Sequence, residues 1–93
     1  MTTIKLDFRN IKYFSEIHKI IKETFEFPDF YGENLSALWD CLTDYCPNKS
    51  VVIIDGIKYL NDNFDGYGQK IQMIFERLTK TPGIGNTKIH ILS

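Results

Sequence analysis

The residues with the most chemistry in this 93-residue chain lie close together. Asp29, Glu33, Asp40 and Asp44 stand within one short stretch, and Phe30, Tyr31, Trp39 and Tyr45 are set among them. Carboxylates so placed accept charge-assisted hydrogen bonds from Arg, Lys and His, and aromatics beside them supply apolar anchoring area. From Glu23 to Asn48 there are six acids (with Glu23 and Glu26 at its start) and no Lys or Arg. The rest of the chain holds six acids and eleven bases, so an overall charge of −1 hides an acidic segment against a basic remainder. Such asymmetry steers a basic partner. A solvated stretch kept for solubility has the same charges, so charge alone leaves both readings open.

Other chemistry is thin. Cys41 and Cys46 have C-x4-C spacing, which is neither a zinc nor a thioredoxin motif, and are expected to be reduced, inert, partly buried thiols. His18 follows Ile17 on a helix and is expected at its exposed side or boundary. His90 alternates with Ile89 and Ile91 and faces away from them. No nucleophile elbow, P-loop or metal signature occurs, and Gly83-Ile84-Gly85 precedes a strand, the wrong context for a dinucleotide. An enzyme, a cofactor and a metal are therefore not expected. Direct nucleic-acid binding is not expected either, because the aromatic segment that would stack bases is the acidic one. Lys12, Lys19 and Lys22 read as a solvated face.

Hydrophobic residues at 43% and charged residues at 25% describe an ordinary folded protein, and the length suggests one domain over 1–93. No apolar run approaches the roughly 18 residues that span a bilayer. The start, Met-Thr-Thr-Ile-Lys-Leu-Asp, lacks the apolar core of a secretory signal, so a cytoplasmic protein without membrane contact is expected.

Periodicity supplies the elements that position the acidic stretch. Thr3 to Phe8 alternates Ile4, Leu6 and Phe8 with polar residues, a half-buried strand. Tyr13 to Phe25 places Phe14, Ile17, Ile21 and Phe25 at helical spacing. Pro28 stops that helix and Gly32 makes a turn. Asn34 is a cap for a second helix, Leu35 to Asp44, which ends before Pro47 and Asn48. Ser50 to Ile54 is a continuous β-branched run that reads as a strand buried on both faces. Ile57, Leu60 and Phe64 suggest a short third helix. Asp65-Gly-Tyr-Gly68 reads as a turn and Gln69 to Lys80 as the last helix. Pro82, Gly83, Gly85 and Asn86 break the chain before a strand from Thr87 to Leu92. The order β-α-α-β-(α)-α-β, with long crossovers between strands, predicts an α/β fold with a three-stranded parallel sheet packed against helices. Strand order does not follow.

At about 100° per residue, Leu35, Leu38, Leu42 and Tyr45 share the core face of the second helix. Ser36, Ala37, Asp40 and Asp44 look outward, with Trp39 at the boundary. Like charges four residues apart cost a helix about a few tenths of a kcal/mol, and Asp44 sits near the unfavourable C-terminal end of the helix dipole. A surface that tolerates both costs serves a partner, or the carboxylates are simply solvated; spacing does not decide.

The run Tyr31-Gly-Glu-Asn-Leu-Ser-Ala-Leu-Trp-Asp-Cys-Leu-Thr43 resembles the signature of the barstar family, intracellular inhibitors of small bacterial ribonucleases. The preceding Phe27-Pro28, the closing Ile89-His-Ile-Leu-Ser93, the length and the element order are similar as well. The resemblance implies a monomeric, antitoxin-like or immunity-like protein that plugs the basic active site of a ribonuclease with its acidic loop and helix. The surface it implies comprises Asp29, Phe30, Tyr31, Gly32, Glu33, Asn34, Ser36, Ala37, Trp39, Asp40, Thr43, Asp44 and Tyr45, with Glu76 and Arg77 from the last helix. Asp40 takes the place of the central family aspartate, and Trp39 and Tyr45 match bordering aromatics. The chain departs from the family pattern at Ser36, where an acid is frequent, and at Phe30, where Tyr is common. It departs again on the last helix, where Arg77 stands at the acidic position with Glu76 beside it. These departures bear on which ribonuclease is bound and keep open an alternative: a non-inhibitory interaction module with a changed partner.

Overall fold

The computed structural model describes residues 2–46, 49–81 and 87–92. The breaks expected at Pro47 and Asn48, and at Pro82, Gly83, Gly85 and Asn86, lie outside the described residues, as does Ser93. The elements run β1 (Thr2–Asp7), α1 (Ser15–Phe25), α2 (Leu35–Tyr45), β2 (Ser50–Asp55), α3 (Ile57–Asn63), α4 (Tyr67–Thr79) and β3 (Lys88–Leu92). This is the predicted α/β order, with the third helix present.

The three strands form one parallel sheet in the order β1-β2-β3. Thr2 pairs with Ser50 and Asp7 with Asp55, while Val51 pairs with Lys88 and Asp55 with Leu92. This register puts Ile4, Leu6, Val52, Ile54, Ile89 and Ile91 on one face, where they join the core. Thr3, Lys5, Lys88 and His90 lie on the other face and are exposed. The expectation that β2 is buried on both faces is therefore corrected. Val51 and Ile53 are only half-buried, because the strand is central in a sheet whose far side is open. The continuous apolar run reports flanking by two strands, not by two layers of helices.

Ile17, Ile21 and Phe25 of α1, Leu38 and Leu42 of α2, Leu60 of α3, and Ile71, Phe75 and Leu78 of α4 fill the core above the sheet. Each such side chain stabilises the fold by about 1.5–3 kcal/mol relative to exposure. Two further expectations change. Phe14 precedes α1 and is exposed; its ring packs edge-on against Tyr67, 4.7 Å between centroids. Tyr67 and Gly68, read as turn residues, open α4. Gly68 is needed there because a Cβ would stand 2.4 Å from the carbonyl oxygen of Ile57, so α3 and α4 approach closely. Asn61 Oδ1 accepts the Gln69 N–H at 2.7 Å and closes the same turn. At the far end of the strands Arg9 bridges Asp7 (2.9 Å) and Asp55 (3.3 Å), holding the Asp7 carboxyl down at about 2.

Candidate partner-binding surface

The surface is built on α2 and the loop that leads into it. Helix α1 ends with Glu26 in a left-handed conformation (φ 57°), and the Phe27 N–H returns to the Lys22 carbonyl at 3.0 Å. The Tyr31 N–H bonds the Pro28 carbonyl at 3.0 Å, which turns the loop. Asn34 then caps α2 as its sequence position suggested: the backbone is extended, and Oδ1 accepts the Ala37 N–H at 2.8 Å. The Asn34 amide donates to the Gly32 carbonyl at 3.2 Å, so one side chain fixes both the turn and the helix start. Between them Glu33 is held at φ 51°, a conformation disfavoured for a side chain with a Cβ.

Of the residues implied by the resemblance, Asp29, Phe30, Gly32, Glu33, Asn34, Ser36, Asp40, Asp44 and Tyr45 are exposed, and Ala37, Trp39 and Thr43 are half-buried. Phe30 is 73% exposed. Lys22 reaches Asp29 at 3.4 Å, a weak bridge on so open a carboxylate. The Thr43 hydroxyl donates to the Asp40 carbonyl at 2.8 Å and is spent within the helix. Tyr45 was expected on the core face of α2 and is 45% exposed there; Cys41 takes its place inside. The last turn of α2 runs past the core edge, and the Tyr45 ring leans on Phe27, 6.3 Å between centroids. Cys41 is buried, and that burial pushes its thiol up and keeps it neutral.

Tyr31 is the clear departure. It was expected on the contact surface and is 5% exposed. Its hydroxyl meets Nδ1 of His18, and Nε2 of His18 meets the Tyr67 hydroxyl at 2.6 Å. His18, expected at the exposed side or boundary of its helix, is 2% exposed. Sequence reasoning missed this cluster, although His18 stands four residues after Phe14 and three before Ile21, on the apolar stripe. Neutral imidazole has one donor and one acceptor nitrogen, and two tyrosine hydroxyls satisfy both. Burial lowers the His18 pKa from its ordinary value, against the pull of the Glu33 carboxylate. The cluster ties the loop before α2 to α1 and α4.

Across α2, the guanidinium of Arg77 lies over the Trp39 ring, 4.4 Å from its centroid. A groove of about 290 Å³ opens there, lined by Leu35, Ser36, Trp39, Asp40, Ile74 and Arg77. The structure thus brings Arg77 to the surface of α2, whereas Glu76 accepts a hydrogen bond from Gln72 at 2.7 Å and is not part of the groove lining. Leu35 and Ile74 also line the groove; both lie on the apolar stripes of their helices, a position that gives no sign of a surface role. Among the described residues no group of three or more His, Cys, Asp or Glu side chains is placed to hold a metal, and no helix is long and apolar enough to cross a membrane.

The arrangement is suited to binding a cationic protein surface: exposed carboxylates on one helix and its entry loop, with aromatic rings at both ends. The sequence model of a family described as "Barstar (barnase inhibitor)" matches residues 1–91. A Bacillus subtilis (strain 168) protein named "Putative ribonuclease inhibitor YrdF" is 29% identical over 76 residues, covering 82% of this chain and 84% of that protein.

Proposed function

The chain belongs to the barstar family, and from that premise we propose that it is an intracellular inhibitor of a small bacterial ribonuclease, acting by occupation of the enzyme's active site rather than by catalysis. The observation that carries this reading is the position of Asp40. It is exposed at the middle of α2, between Ser36 and Asp44 one turn away on either side, with Trp39 beside it and no cation on the helix itself.

A ribonuclease active site is cationic because it must hold and stabilise phosphate. Asp40 and Asp44 on α2, with Glu33 and Asp29 on the loop, stand in for phosphate charges. Arg, Lys and His of the enzyme donate charge-assisted hydrogen bonds to them. Phe30 and Tyr45 supply exposed aromatic area at the two ends, the residue type that dominates binding energy at interfaces. The remaining contacts exclude water from the charge pairs. The acidic segment also raises the encounter rate with a basic enzyme, an effect that salt screens.

The test is inhibition of a panel of small guanyl-type bacterial ribonucleases at low salt, comparing the wild type with Asp40→Ala. Inhibition of one enzyme that the substitution weakens strongly supports both the activity and the surface. A second reading, a binding module of this fold whose partner is not a nuclease, draws on the cation Arg77 at the groove. Asp40-dependent inhibition of any ribonuclease excludes it.

A further inference from the structure

We propose that the groove between α2 and α4 receives a carboxylate side chain of the protein partner on Arg77, while Asp40 on the opposite wall takes one of that partner's cations. The inference rests on the inhibitor reading and specifies the partner: an enzyme whose basic contact face also carries an Asp or Glu beside its cations.

Three observations converge. First, Arg77 is exposed and yet packed against a neighbour. Its face is occupied by the Trp39 ring at 4.4 Å, which leaves the N–H edge of the guanidinium free. A stacked guanidinium presents its donors as a fixed fork, the geometry that a carboxylate meets with two parallel hydrogen bonds. Second, that fork meets no partner among the described residues. Among the described residues no carboxylate lies within 4.0 Å of Arg77, and the neighbouring Glu76 is engaged by Gln72. Third, the groove has the shape and polarity for one side chain. Leu35 and Ile74 give it apolar walls, and Ser36 places an exposed hydroxyl beside Asp40. On its α4 side it adjoins a second depression of about 350 Å³, lined by Lys70, Met73 and Arg77 with Leu35 and Ile74. The α4 wall is therefore cationic where the α2 wall is anionic. A free phosphate would meet Asp40 across the groove and be repelled. A carboxylate delivered beside a cation satisfies both walls.

The experiment uses the full chain and the ribonuclease that it inhibits most strongly in the panel. Dissociation constants are measured for the wild type, Asp40→Ala, Arg77→Lys and Arg77→Glu, with thermal melts to confirm folding. Each Asp and Glu on the enzyme's active-site face is replaced by Ala in turn, and the sedimentation of each inhibitor is measured alone. Arg77→Glu is expected to weaken binding by at least ~30-fold, where tenfold corresponds to about 1.4 kcal/mol. Arg77→Lys keeps the charge, loses the fork and is expected to fall between. Replacing one enzyme carboxylate should abolish the difference between wild type and Arg77→Glu. If Asp40→Ala weakens binding while Arg77→Glu leaves it unchanged or tightens it, the carboxylate assignment is overturned and the inhibitor reading stands. If neither substitution matters, or no enzyme is inhibited by the folded wild type, both fall. Concentration-dependent self-association that Arg77→Glu abolishes reassigns the groove to a second copy and overturns the proposal.

Discussion

Nδ1 of His18 and the hydroxyl of Tyr31 meet at 2.5 Å, joining the first turn of α1 to the loop that carries the acidic surface. The pair is buried, and Tyr67 completes it from α4. Removing one hydroxyl leaves a ring nitrogen without a partner, at a cost of about 1–3 kcal/mol. Tyr31→Phe is expected to lower stability by that amount in denaturant titrations and to loosen the loop. Hydrogen exchange at Gly32 and Glu33 should rise by more than at the β2 amides.

The same pair makes stability depend on pH. His18 has a folded pKa below its ordinary value of 6.5, so the unfolded chain binds the proton more readily. Its contribution is fully present above about 6.5 and is lost as pH falls from there through the lowered folded value. A plot of melting temperature against pH should fall on that acid side for the wild type. The His18→Gln protein should start lower and fall less.

Asp40→Ala is expected to cost at least ~2 kcal/mol of binding to an inhibited ribonuclease, the level of an interface hot spot, with stability nearly unchanged. Stopped-flow association at rising salt should slow for the wild type. An on-rate indifferent to salt would remove steering from the account.

Glu33 sits at φ 51°, where Gly is at ease and Glu is strained. Glu33→Gly is expected to leave stability within about 1 kcal/mol of wild type, relief of strain offsetting the added freedom of the unfolded chain. It should nevertheless slow association, because a carboxylate of the acidic surface is gone. Equilibrium unfolding and on-rates measured together separate the two effects.

Asn34→Ala removes the cap of α2 and is expected to cost about 1 kcal/mol. Gly68→Ala forces a methyl group against the Ile57 carbonyl and should cost about 1–3 kcal/mol through the α3–α4 contact. Both are read from chemical denaturation.

Local signals were legible in the sequence; convergence was not. Asn34 announced its cap by standing just before an apolar-periodic run, and the alternation of Ile4 and Leu6 placed β1 to within one residue at each end. The order of elements was enough to predict a parallel sheet. Tyr45 was misplaced because angular periodicity says which way a side chain points and nothing about where the core ends. Tyr67 and Gly68 were read as a turn because glycine serves close helix packing as well as chain reversal, and only the Ile57 carbonyl distinguishes the two. His18 and Tyr31 read separately, one as an exposed or boundary residue and one as a partner contact. Each is polar alone, and only long-range folding shows that they satisfy one another. Arg77 was flagged as a departure on the last helix, but its seat on Trp39 depends on how α2 and α4 cross.

The groove that joins Asp40 to Arg77 takes one wall from α2 and the other from α4. In a chain emerging residue by residue from the ribosome, the carboxylates of α2 are made well before the helix that completes their surface. Between them come β2, whose Ser50 must find Thr2, and α3, whose close packing receives α4 at Gly68. Strand pairings so distant in sequence form more slowly than a local helix. Half-made chains therefore carry the acidic charge without the finished groove. The acidic surface is thus complete only once the second half of the chain has been made and has packed onto the first.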